Sequence, residues 1–215
     1  EELIRQIKER IKKSEVMTLE HYSEEEEDLT GRFLQNIERD FKDISSDNYK
    51  VETRIYRRKN NTEESIIGAD FCVILDVNTK DDKIIKYFLA QAKKENNKDK
   101  LSFDRRLNEQ CKIMMQYTSD CFLFIYSPQG IFVKSALNHL IIYKDLSSFF
   151  DDFMTCFIGD IHPYPFILDW YPPFRRPPFW PKGLQFDKKE LSKYVNVLDI
   201  IITSKDAQKS EKQTN

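Results

Sequence analysis

The chain has 215 residues, 40% of them hydrophobic and 13% aromatic, with 16 Phe and 10 Tyr, enough for one sizeable core or one domain with an appendage. A formal net charge of −2 on 33% charged residues excludes a uniformly basic nucleic-acid wrapper and leaves room for a local basic patch. No apolar run reaches membrane-spanning length, no signal peptide is recognisable, and the chain opens on Glu1 rather than Met, as a trimmed or partial chain does.

Residues 1–22 read as a charged amphipathic helix with Leu3, Ile4, Ile7 and Ile11 at helical spacing. A second helix follows over 24–42, with Ser23 as its cap and Glu24–Asp28 in its first turns, where the helix dipole favours negative charge. Leu29, Phe33, Leu34, Ile37 and Phe41 form its buried stripe. Glu26 lies three residues before Leu29 and seven before Phe33, so it points toward whatever that stripe packs on. Most of the acids in this stretch make a solvated helix start; residues 1–30 hold ten acids against five bases, which is why the start must face water. Tyr49–Arg58 alternates Val51, Thr53 and Ile55 with Lys50, Glu52 and Arg54, the pattern of a half-exposed strand. Arg54, Arg57, Arg58 and Lys59 cluster at its end, before a loop in which Glu64 is either near a site or simply loop.

Asp70–Val77 and Ile84–Ala92 then make a β-hairpin around the polar turn Asn78–Lys83. A symmetric turn centred between Lys80 and Asp81 sets Asp70 opposite Gln91, Cys72 opposite Leu89 and Ile74 opposite Tyr87. Alternation puts Gln91 and Lys93 on one face, Ala90 and Ala92 on the other. An acid, an amide and a lysine therefore meet at the open end of an otherwise apolar face.

Beyond the hairpin comes a polar loop, then a helix from about Phe103 to Thr118 whose stripe is Leu107, Cys111, Met114, Met115 and Thr118, with Gln110 on its edge. Residues 80–112 hold ten Lys/Arg against six Asp/Glu, a local excess that contacts phosphates or simply solvates a face. Cys121–Tyr126 and Ile131–Lys134 pair around Ser127–Gly130, Leu137–Tyr143 reads as a short strand, and Leu146–Phe157 as a Phe-rich helix. Residues 162–181 hold seven of the eight prolines, which excludes regular helix or central strand there. The stretch is too aromatic for a disordered linker and reads as an ordered, extended segment or a docking surface. Tyr194–Ile202 is a last apolar element, and Ser204–Asn215 a polar, disordered tail. The expected organisation is an α/β domain over 1–160, an extension over 161–203 packed on it, and the tail over 204–215.

The Gly68-Ala69-Asp70 and Gln91-Ala92-Lys93 motifs on a hairpin resemble the PD-(D/E)XK nuclease superfamily, in its variant with Gln in the third motif. The resemblance spans roughly residues 20–135 in order of elements. It implies a restriction endonuclease-like fold: a mixed central β-sheet flanked by helices on both sides. It also implies divalent-metal-dependent hydrolysis of phosphodiesters, of DNA ahead of RNA, in a restriction or antiphage system. Asp70, Gln91, the Ala92 carbonyl and Glu26 would hold Mg²⁺ or Mn²⁺, hard cations that take oxygen ligands. Lys93 would stand beside the attacking water. Glu26 matches the family's helix acid, with Glu27 next in line. Gln110 matches the amide that a following helix lends, though it also fits as a Gln packed at the rim of the core. A homodimer is implied too, because many such nucleases need two sites to cut a duplex. Residues 162–181 are the candidate surface for a protein partner.

Other chemistries lack their residues. His21, His139 and His162 are isolated, and the five glycines form no phosphate loop. Cys72, Cys111, Cys121 and Cys156 have no paired C-x-x-C spacing, which suggests reduced core thiols in a cytoplasmic protein. A catalytically inactive module of the same fold, binding nucleic acid or a protein, is the competing expectation.

Overall fold

The computed structural model describes residues 2–58, 67–81, 83–95, 105–137, 144–155, 158–159 and 188–207. Lys59, Glu64, His139, Cys156, His162 and the segment 162–181 lie outside the described residues, as do 138–143 of the expected short strand.

Two helices open the chain, α1 (Glu2–Leu19) and α2 (Glu26–Phe41). Strands β1 (Tyr49–Tyr56), β2 (Phe71–Asn78) and β3 (Lys83–Lys94) follow, then α3 (Arg105–Met114). Next come β4 (Cys121–Ser127), β5 (Gly130–Ser135), β6 (Lys144–Asp145) and α4 (Leu146–Met154). The short α5 (Lys188–Leu191) and β7 (Asn196–Ser204) complete the fold. The seven strands form one mixed sheet in the order β1-β7-β2-β3-β4-β5-β6, with β2–β7 and β3–β4 parallel and the remaining pairs antiparallel.

Helices cover both faces, and strand alternation divides the core accordingly. Phe71, Val73 and Leu75 of β2 point with Ala90 and Ala92 into a cluster with α1, α2 and α4. Cys72 and Ile74 point the other way with Leu89, onto Leu107, Cys111 and Met114 of α3. In the first layer Phe88 stacks edge-on against Phe149 and Phe153 of α4, with centroids 5.1 and 4.8 Å apart. The fully buried Lys86 donates to the Phe153 and Ile158 carbonyls at the C-terminal end of α4, where a cation is favoured.

Three expectations change at this level. Ser23 does not cap α2: the N-cap is Glu25, with no side-chain cap bond, because a turn from Glu24 N–H back to the His21 carbonyl delays the helix. The apolar element near residues 194–202 does not lie on the domain. It is β7, paired along eight residues with β1 on one side and with β2 on the other. Nor does the tail begin at Ser204, which ends β7; residues 205–207 form a further turn held by Lys205 N–H on the Asn48 carbonyl, with Ala207 buried.

Candidate active site

The hairpin register is the one expected from the symmetric turn: Cys72 faces Leu89, Ile74 faces Tyr87, and Phe71 faces Ala90. Asp70 donates its own N–H to the Ala90 carbonyl at 2.9 Å, and there the β2 ladder stops. β3 runs on to Lys94, so the amides of alternate residues Ala92 and Lys94 face the side that β2 has left open. Two carboxylates take them. Asp70 Oδ2 accepts from Ala92 N–H at 2.7 Å, and Glu26 Oε2 accepts from Lys94 N–H at 2.8 Å. Two acids thus continue the ladder where a strand would have been.

The side chains close around this edge. Gln91 Nε2 donates to Asp70 Oδ2 at 2.5 Å, and Lys93 Nζ donates to Glu26 Oε1 at 2.9 Å. Glu26 is delivered by the first turn of α2, which is tied to β3 from both ends of the approach. Tyr22 O–H donates to the Glu95 carbonyl at 2.8 Å, and Lys94 Nζ donates to the Glu24 carbonyl at 3.0 Å while lying over the Tyr22 ring. Beneath, the buried Tyr126 O–H donates to Thr30 Oγ1, which in turn donates to the Glu26 carbonyl. Burial pushes the Tyr126 phenol well above its ordinary value against that Thr30 bond, and the nearby Asp70 and Glu26 charges push the same way.

On the other layer α3 brings Gln110. It comes close because Gly68 has φ +74° and no side chain: a Cβ there would lie 2.4 Å from the Gln110 carbonyl oxygen. Burial raises the neighbouring Cys111 thiol, against the pull of the Lys93 charge.

Asp70, Gln91, Lys93, Glu26, Glu27 and Gln110 all line one cleft of about 360 Å³. Glu27 lies 3.8 Å from Arg58, while Glu26 accepts from Lys93 Nζ and Lys94 N–H and is the helix acid that engages the hairpin. Thr30, Arg58, Arg106 and Asn196 also line the cleft. None of these four stood out as a site residue in the sequence. Arg58 belonged to a visible basic cluster, but Asn196 sits 126 residues after Asp70 and gave no local signal.

Gln91 Oε1 and Gln110 Oε1 are buried with no hydrogen-bond partner, an expensive state for an amide oxygen. Both residues line the same cleft as the Asp70 carboxylate, and oxygen donors of this kind suit a hard divalent cation. The Ala92 carbonyl, expected as a further ligand, is not among the lining groups and accepts from Gln91 Nε2 at 3.4 Å. Among the described residues no group of three or more His, Cys, Asp or Glu is placed to hold a metal. A site built on Gln91 does not present one.

The fold and site thus define a mixed α/β protein with an acid–amide–lysine cleft at the open end of a central hairpin. No protein-family model, curated protein or solved structure matches the chain.

Proposed function

We propose that this protein is a divalent-metal-dependent nuclease that hydrolyses phosphodiester bonds, DNA being the preferred substrate, with Mg²⁺ or Mn²⁺ in the cleft at Asp70. One observation carries the reading: the buried Gln91 Oε1 has no hydrogen-bond partner, while its Nε2 holds the Asp70 carboxylate in the cleft that Lys93 also lines. A bound cation would supply Lewis acidity to the phosphoryl oxygen and a more acidic water.

This chain's own groups do the remainder. Asp70, fixed by Ala92 N–H and Gln91 Nε2, holds a carboxylate at the cleft floor. Glu26 aims the Lys93 ammonium into the same space, where it stabilises charge developing on a phosphate. Glu26, Glu27 and Thr30 of α2 and Arg106 and Gln110 of α3 supply two sides of the cleft. Buried free thiols at Cys72, Cys111 and Cys121 suit a reducing compartment, the cytoplasm.

Plasmid incubated with the purified protein and Mg²⁺ or Mn²⁺ should be cut, with a parallel RNA digest to rank the substrates. Asp70→Ala and Lys93→Ala should each lower the rate by at least roughly a hundredfold, the scale of losing one electrostatic or acid–base group. Cutting that survives both substitutions, or absence of cutting in either metal, sinks the proposal. The second reading, a binding module that does not cut, draws on Glu26 having both oxygens engaged by Lys93 and Lys94. It is favoured if strands bind and stay whole.

A further inference from the structure

The cleft holds an arginine that the hairpin motifs do not account for. Arg58 follows β1, and its side chain is only 11% exposed although it opens on the cleft shared by Asp70 and Lys93. Its place is set by Asn196 at the start of β7. Asn196 Oδ1 accepts from Arg58 N–H at 3.1 Å, and Asn196 Nδ2 donates to the Asp70 carbonyl at 3.3 Å. One side chain therefore bridges the backbone of Arg58 to the backbone of Asp70 and holds their spacing. Facing Arg58 across 3.8 Å is Glu27, whose side chain is 85% exposed. An ion pair at that length to a solvated carboxylate is weak and readily exchanged.

We propose that Arg58 is the phosphate-binding residue of this cleft: its guanidinium takes a phosphodiester phosphate of a nucleic-acid strand, displacing Glu27, while Asn196 keeps it in step with Asp70. The assignment rests on the nuclease reading for its substrate class, but not on hydrolysis taking place. A guanidinium offers a planar fork that matches two phosphate oxygens, which the point charge of a lysine does not. A largely buried arginine also loses little freedom on binding, so its contribution exceeds that of an exposed neighbour. Arg57, the next residue back, is exposed and serves as the comparison for simple charge loss.

The test is fluorescence anisotropy of an end-labelled oligodeoxynucleotide, single-stranded and duplex, with Ca²⁺ in place of Mg²⁺. Arg58→Ala should weaken binding about tenfold for every sequence and lower the salt slope by about one. Arg57→Ala should change affinity less than about twofold, and Arg58→Lys should recover only part of the loss. Glu27→Gln should tighten binding, since one competing anion at 3.8 Å is gone. If Arg58→Ala binds like the wild type, or loses no more than Arg57→Ala, the assignment is overturned whether or not the protein cuts. A wild type that binds no strand overturns it as well. If cutting is absent in every metal while the Arg58 dependence persists, hydrolysis falls and the phosphate assignment stands.

Discussion

At Gln91 an amide nitrogen 2.5 Å from Asp70 Oδ2 neutralises part of that carboxylate, while the amide oxygen stays buried and unpartnered. Replacing it by Glu puts two acids in hydrogen-bonding range with no donor between them. Gln91→Glu should therefore destabilise the metal-free protein by roughly 1.5–3 kcal/mol, the worth of a hydrogen bond to a charged group. Melting should fall by several degrees, and Mn²⁺ should restore more for the variant than it adds to the wild type. Equal Mn²⁺ stabilisation of the two proteins rules out a cation at this residue. The pairing of Asp70 with Gln91 was legible because a symmetric turn and a two-residue period fix register over a short span. Lys93 followed from the same local arithmetic by strand face, whereas the helix stripe only turned Glu26 inward and the family resemblance joined it to the hairpin. Asn196 was not legible, since its role depends on which strand lies beside β2, a non-local fact.

Helix α2 is the element that brings an acid to the hairpin, and its seat against α1 depends on a buried carboxylate. Asp40 is 4% exposed and accepts from Ser14 Oγ and Lys13 Nζ, both at 3.1 Å, and from Arg39 Nε. Burial alone would raise its pKa, yet the Arg39, Lys13 and Ser14 bonds outweigh burial and hold it below its usual 3.8. A carboxyl depressed in the folded state stabilises above its unfolded pKa, and that stability is lost as pH falls through the folded value. Asp40→Asn should cost roughly 1–3 kcal/mol at neutral pH. The gap to wild type should narrow below about pH 4, as read by urea unfolding across pH. A gap that is constant with pH would show the cost to be packing instead. The helix itself was visible in its apolar stripe, whereas its starting residue was not. Caps depend on the turn that feeds them, and here Glu24 is drawn into a bidentate pair with Arg32 at 2.5 and 2.7 Å.

For the whole molecule, β7 is the keystone: it separates β1 from β2 and pairs with both. Val197, Leu198 and Ile200 are fully buried, each worth roughly 1.5–3 kcal/mol against total stabilities of about 5–15 kcal/mol. A chain stopped after Val195 should lose its cooperative thermal transition by circular dichroism. Retention of a sharp transition would mean that the sheet tolerates the gap. The fold class was legible from elements alternating between helix and strand. The place of β7 was not, because an apolar run of nine residues looks the same on an edge, over a face or in the centre.

The described lining of the cleft carries four acidic side chains, Glu25, Glu26, Glu27 and Asp70, against the basic Arg58, Lys93 and Arg106, a balance of minus one. Alone, such a surface neither gathers nor strongly repels a polyanion. One divalent ion turns the balance to plus one, so whatever supplies the ion also supplies the attraction. Loading of one guest then favours loading of the other, and neither accumulates there to much effect by itself.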